Sequence, residues 1–102
     1  MSRRRVAITG LGLVTPAGND VAVTWSALLA ARSGVAPISS FDASGFPVRI
    51  AAEVKGLSPD RVERAIGDRK LLKMANRSHR FALVAAVQAF DDAGIRPGPE
   101  TS

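Results

Sequence analysis

The residues of this sequence best suited to chemistry are basic ones, concentrated between positions 61 and 80. Guanidinium and ammonium groups at this density attract phosphates and carboxylates, so the segment predicts an acidic partner. The segment has seven cations and only two anions, Glu63 and Asp68, so its charge equals the whole net charge of +5. The cations are Arg61, Arg64, Arg69, Lys70, Lys73, Arg77 and Arg80.

Four of these cations follow one another at intervals of four, four and three residues, which places them on one face of a helix. Like charges one turn apart repel, at a cost of about 0.2–0.5 kcal/mol per pair. An anionic partner would relieve this repulsion, whereas a solvated charged face, the alternative interpretation, would leave it in place. No Phe, Tyr or Trp alternates with the cations, which disfavours nucleic acid as the partner. The four are Arg69, Lys73, Arg77 and Arg80.

Groups suited to catalysis or metal binding are few. The chain has no cysteine and a single histidine, His79, whose neighbours one turn away are Ala75 and Leu83. A histidine in that setting is expected at the surface. Asp91 and Asp92 adjoin each other and therefore point to different helix faces, so they form no acid–base pair. We predict no catalytic residue, no metal site and no bound cofactor in this chain.

Two glycines, Gly10 and Gly12, resemble the start of a dinucleotide-binding fingerprint between a strand and a helix. The third glycine of that fingerprint is replaced by Thr15, and Pro16 lies in the turn, so a packing role is favoured. Because the two glycines share one strand face, another element can approach the backbone closely there.

The glycines lie in a segment, Val6 to Val14, that is apolar on both strand faces apart from Thr9. This pattern predicts a central strand buried between two layers. Pro16 and Gly18 then end the strand, and Asn19 or Asp20 offers an N-cap for a helix.

That first helix is expected to run from Asp20 to Arg32, and Gly34 provides its stop. Trp25, the only tryptophan, is predicted to anchor the helix in the core. The apolar stripe that would face the core comprises Val21, Trp25, Leu28 and Leu29.

Residues 35–47 are predicted to form a connector that Phe41 and Phe46 pin to the body. Residues 48–55 alternate between apolar and polar side chains, which predicts a strand with one wet face carrying Arg49, Ala51 and Glu53. A short helix should begin at Ser58, because proline follows as its first residue.

The longest predicted element runs from Asp68 to Ala93, about 39 Å if wholly helical, with Gly94 as its stop. Residues 81–87 are apolar all round, so the second half should lie in the core. A stripe of small residues suits close packing and comprises Ala75, Ser78, Ala82, Ala85, Ala89 and Ala93. Residues 97–102 are expected to be a loop.

Composition places the chain in a broad class. With 102 residues, of which 46% are hydrophobic, it is one α/β domain or a piece of one. A buried central strand needs neighbours on both edges, and only one other convincing strand is offered, so we expect a fragment of a larger protein. There is no disulfide framework, signal peptide or membrane-spanning apolar run, and the cytoplasm is the expected location.

Taken together, several stretches resemble the N-terminal part of the β-ketoacyl-acyl-carrier-protein synthases, closest to the type II fatty-acid form. The resemblance implies a thiolase-like layered fold, with residues 1–102 as an N-terminal fragment of the ketosynthase domain and no second domain. The stretches occur in family order: Arg5 to Asn19, Thr24-Trp25, Leu28-Leu29, Ser33-Gly34-Val35, Phe41-Asp42, Ala52 to Lys55, and Ala85 to Gly94.

For the complete protein the resemblance implies a decarboxylative Claisen condensation, in which a cysteine thiolate takes the acyl group and two histidines stabilise the enolate. None of those residues can lie in this chain, so the segment would be scaffold. It also implies an acyl carrier protein as partner, substrates carried on that protein's phosphopantetheine, and a homodimer or a ketosynthase-like heterodimer. The residues implied to bind the carrier protein are Arg69, Lys70 and Lys73.

The chain departs from the family's usual pattern around this site. Leu71 and Leu72 replace polar residues, Met74 replaces a common basic residue, and Asn76 replaces a frequent aspartate. Two alternatives stay open: a catalytically inactive subunit of the chain-length-factor kind, and a basic nucleic-acid-binding module.

Overall fold

The computed structural model describes residues 3–95, which form four helices and one two-stranded sheet. Helix α4 organises the molecule, because both α2 and the N-terminal segment pack against it. No helix in this part of the chain is long and apolar enough to span a membrane. The elements are α1 (Val21–Leu29), β1 (Val35–Pro37), β2 (Ile50–Ala52), α2 (Pro59–Ile66), α3 (Arg69–Met74) and α4 (Arg77–Ala93).

The predicted central strand over Val6 to Val14 does not pair with any strand among residues 3–95. The backbone groups of a strand need hydrogen-bond partners, and here side chains of a helix satisfy two of them. The Leu11 N–H donates to Asp92 Oδ2 and the Leu13 N–H to Gln88 Oε1, each at 3.0 Å. Both acceptors lie on α4.

The close approach predicted for the two glycines is confirmed. A methyl group at Gly12 would overlap the Ala85 carbonyl and come within 2.9 Å of Ala89 N. One at Gly10 would come within 2.7 Å of Ala93 N. The alanines belong to the predicted stripe of small residues. The glycine segment therefore packs directly against the backbone of α4 along this stripe.

Helix α1 begins as predicted, with Asp20 Oδ1 accepting from Val23 N at 2.8 Å. It ends at Leu29 rather than Arg32, because the chain turns at Ala31, whose φ is +54°. The prediction that Trp25 anchors the helix in the core is wrong, because Trp25 is 59% exposed. The helix buries Thr24 and Ala27 instead, because the Thr24 hydroxyl bonds the turn at residues 15–18.

The predicted connector contains a strand. β1 opens it and pairs antiparallel with β2, Val35 opposite Ala52 and Pro37 opposite Ile50. The predicted wet face is wrong, since Ala51 is half-buried while Ile50 is 57% exposed. A two-stranded ribbon has no partner layer here to cover the isoleucine.

The loop after β1 is not pinned to the body by its phenylalanines. Phe41 and Phe46 meet each other edge to face, with ring centroids 5.8 Å apart, and both stay 55% exposed. Glu53 fastens the loop instead. Hydrogen bonds from Ser40 and Ser39 lower the pKa of Glu53 to about 2.

Helix α2 follows its sequence signals, with Ser58 as N-cap, Pro59 at the first position and Gly67 in the left-handed C-cap conformation. It packs against α4. Val62 on α2 and Val84 on α4 are buried, at 4% and 2% exposure.

The predicted continuous helix from Asp68 to Ala93 is wrong, because it breaks at Ala75 and Asn76. Asn76 caps α4: its Oδ1 accepts from His79 N at 2.9 Å. The stop at Gly94 is confirmed by its φ of +72°. Residues 81–87 lie only partly in a core, with Val84 alone fully buried. The predicted loop 97–102 lies outside the described residues.

The core is small for the size of the molecule. The radius of gyration is 17.1 Å, against about 13 Å for a compact domain of 100 residues. Large apolar side chains, including Val6, Ile8 and Leu29, are exposed by 91%, 83% and 71%. The buried apolar residues are Ala27, Ala43, Val62 and Val84.

Candidate functional site

Helix α3 carries the three residues predicted to bind a carrier protein. None of its six residues is buried. Asp68 caps the start of the helix, since its Oδ1 accepts from Lys70 N at 2.9 Å. Lys70 and Lys73 are exposed, and neither forms an ion pair with a residue in the range 3–95. Both ammonium groups are therefore available to an outside anion.

Arg69 differs from the two lysines. Its Nε lies 3.6 Å from Glu63 Oε1, and the two side chains are 87% and 48% exposed. An exposed pair of this kind contributes at most about 1 kcal/mol. An anion can therefore compete with Glu63 for the Arg69 guanidinium.

The other cations of the predicted stripe point elsewhere, because the helix breaks between them. Arg77 donates through Nη2 to the Val54 carbonyl at 3.2 Å, and its guanidinium lies 5.4 Å from the centroid of the Phe81 ring. Arg80 donates to the Leu72 carbonyl at 3.2 Å. The predicted single face of four cations is wrong: the break separates Lys73 from Arg77, whereas Arg69 and Lys73 remain one turn apart on α3.

The cations of α2 are divided in the same way. Arg61 is half-buried and engaged with α1: its Nη2 lies 3.4 Å from the Asn19 carbonyl and 3.9 Å from Asp20 Oδ2. Arg64 is exposed and lines a shallow hollow together with Gly67 and Arg69. The basic surface around α3 thus comprises Arg64, Arg69, Lys70 and Lys73.

This surface can bind anions but shows no group placed for covalent chemistry. Over residues 3–95, no cluster of three His, Asp or Glu side chains is placed to hold a metal ion. His79 is exposed, as predicted, and its Nδ1 accepts from the Asn76 N–H at 3.4 Å. The histidine therefore serves the start of α4.

Sequence reasoning missed the junction between α3 and α4, formed by Asn76, His79 and Arg80. An asparagine five residues before the apolar run beginning at Phe81 is an N-cap signal. The signal was outweighed by helical periodicity, which continues on both sides of it. The contact from Arg80 back to α3 has no local sequence signal.

Comparisons with known proteins show which family the chain resembles. Residues 3–102 match the family model described as beta-ketoacyl synthase, N-terminal domain. A 3-oxoacyl-[acyl-carrier-protein] synthase 2 from Coxiella burnetii is 48% identical over 95 residues, which are 93% of this chain and 22% of that protein. The tetracenomycin polyketide synthase ketoacyl synthase beta subunit from Streptomyces glaucescens is 42% identical over 92 residues, 90% of this chain and 22% of that subunit.

A solved structure, the ishigamide ketosynthase/chain length factor, superimposes with a TM-score of 0.79 at 39% identity. It covers 93% of this chain and 23% of its own, so this chain spans under a quarter of the length of these relatives. The incomplete sheet and the exposed apolar side chains fit a thiolase-like α/β fold present only in part. The chain belongs to the beta-ketoacyl synthase N-terminal domain family.

Proposed function

We propose that these residues belong to a 3-oxoacyl-acyl-carrier-protein synthase, which condenses an acyl thioester with malonyl-carrier protein and releases carbon dioxide. The observation that carries the proposal is the family match over residues 3–102, supported by 48% identity to a synthase of that type. The TM-score of 0.79 to a ketosynthase/chain length factor supports the same fold.

This segment contributes scaffold and docking rather than the chemical step. It has no cysteine, so the acyl-bearing thiolate of the proposed reaction must be supplied by other residues. The glycine segment packed on α4 forms part of the body. Lys70 and Lys73, with Arg69 once released from Glu63, attract the acidic carrier protein that brings the substrate on its phosphopantetheine arm.

A second candidate function is that of a non-catalytic partner subunit. The similarity to a polyketide synthase beta subunit and to a ketosynthase/chain length factor favours it. Such a subunit would bind a catalytic relative in a heterodimer, whereas the synthase would form a homodimer. Both candidates would be cytoplasmic, and both use the basic surface around α3.

Incubating the complete gene product with acyl-carrier protein and malonyl-carrier protein tests the proposal. We expect a 3-oxoacyl product by mass spectrometry and one carbon dioxide per condensation, with no activity after alkylation of its thiols. A protein that releases nothing alone but restores activity when mixed with a catalytic relative would be the partner subunit. Failure to bind or turn over carrier-bound substrate in either assay would reject both candidates.

A further inference from the structure

The break between α3 and α4 redirects the backbone groups of Leu72 and Asn76. In a continuous helix the Asn76 N–H would donate to the Leu72 carbonyl, four residues earlier. Here that N–H is directed to His79 Nδ1, at 3.4 Å, and the freed Leu72 carbonyl accepts from Arg80 Nη2 at 3.2 Å. The first of these bonds belongs to the N-cap of α4, and the second crosses the junction to α3.

Helix α3 contacts α2, but this short helix has little else to hold its direction. It has only six residues and buries none of them, and helices this short are unstable in isolation. Its N-terminal end is fixed by the Asp68 cap. Its C-terminal end is tied to α4 by the Arg80 guanidinium, a cation bonded to a last-turn carbonyl, which is also the favourable end of the helix dipole.

Arg80 is placed for this task rather than for contact with a partner. The residue is half-buried, and its Nε is buried with no hydrogen-bond partner among the described residues. Lys70 and Lys73, by contrast, are exposed. A planar guanidinium holds one orientation at such a site better than a flexible ammonium group can.

We propose that Arg80 is a positioning residue for carrier-protein docking: it orients α3 so that Lys70 and Lys73 face the partner, without touching the partner itself. The proposal rests on the proposed function, because it assumes a carrier protein as the partner. It implies that Arg80 acts only through the two lysines.

A double-mutant cycle tests this dependence on the complete protein, with carrier-protein affinity as the readout. We expect Arg80→Met to raise the Kd for carrier protein about tenfold, the effect of losing one hydrogen bond to a charged group. In a Lys70→Met, Lys73→Met background the same change should raise Kd less than twofold. Arg80→Lys, which keeps the charge, should weaken binding to an intermediate degree.

Hydrogen exchange provides the structural readout, and it also applies if Arg80→Met lowers overall stability. Faster amide exchange in residues 69–76, with residues 77–93 unchanged, supports the proposal. Amide exchange that rises throughout the protein, or nowhere, overturns the proposal. So does an equal loss of affinity from Arg80→Met in the wild type and in the Lys70→Met, Lys73→Met background. A wild-type protein that binds no carrier protein rejects the proposed function, whereas normal binding by Arg80→Met rejects this inference alone.

Discussion

The contact between the N-terminal segment and α4 leaves no room for a side chain at Gly12. Substituting alanine adds one methyl group, which would overlap the Ala85 carbonyl and come within 2.9 Å of Ala89 N. Carbon and nitrogen atoms in ordinary contact are about 3.5 Å apart or more. The segment must therefore move away from α4, because the helix backbone cannot yield locally.

The cost of Gly12→Ala follows from two contributions. Overpacking a close contact costs about 1–3 kcal/mol. Displacing the segment also strains the hydrogen bonds from Leu11 N to Asp92 and from Leu13 N to Gln88, each contributing about 1 kcal/mol. We expect the free energy of unfolding to fall by about 3–5 kcal/mol.

Gly45→Ala is the matched control, because nothing lies within 4 Å of the added methyl group. It should change the free energy of unfolding by less than about 1 kcal/mol, towards higher stability, since alanine restricts the unfolded chain. Guanidinium denaturation of both variants in the complete protein measures the difference. Equal transition midpoints for Gly12→Ala and Gly45→Ala would refute the packing described here.

Three further predictions concern local structure. Asn76→Ala should lower the free energy of unfolding by about 1 kcal/mol through loss of the α4 cap, and Asn76→Asp should restore it; an alanine variant as stable as wild type would exclude the cap. Ala31→Gly should not lower the melting temperature. Glycine relieves the strain of the positive φ of 54°, which offsets the greater freedom it gives the unfolded chain, and thermal melts of both proteins measure the outcome. Since the folded pKa of Glu53 is about 2 against an ordinary 4.5, its ionised form stabilises the fold above pH 4.5. The stability gap between wild type and Glu53→Gln should therefore shrink as pH falls from 4.5 to 2, and a gap independent of pH would contradict the Ser39 and Ser40 bonds.

Local signals in the sequence were sufficient for three helix ends. Asp20, Ser58 and Gly94 act as the caps their types predict, because a cap depends on a few neighbouring backbone groups. Close packing was expected at the glycine pair and at the alanine stripe separately, and the structure shows that the two contact each other. Their match is steric, and small residues on both sides permit only close packing.

The errors came from features that depend on distant contacts. Trp25 lies on an apolar stripe, but burial needs a facing surface, and residues 3–95 supply none to that side of α1. The segment Val6 to Val14 has strand composition but no strand beside it. Periodicity alone shows which face is apolar and does not show whether anything covers it.

The candidate site was predicted in part. Lys70 and Lys73 lie on the surface as expected, and neither forms an ion pair with an acidic side chain of residues 3–95. Arg77 and Arg80 were wrongly grouped with them, since the Asn76 cap turns α4 away from α3. The exposed lysines thus differ from the two arginines, which bond the chain's own carbonyls at Val54 and Leu72, and residue spacing could not reveal this difference.

The affinity of the complete protein for acyl carrier protein, its proposed partner, measured against salt concentration, tests the central claim most directly. Wild-type binding should weaken steadily as salt screens the lysines of α3. Lys73→Glu should weaken it sharply at low salt, while Arg32→Glu, an equal charge change on the exposed loop after α1, should leave it within twofold. Equal affinities for wild type and Lys73→Glu across the salt range would contradict the assignment of α3 as the docking helix.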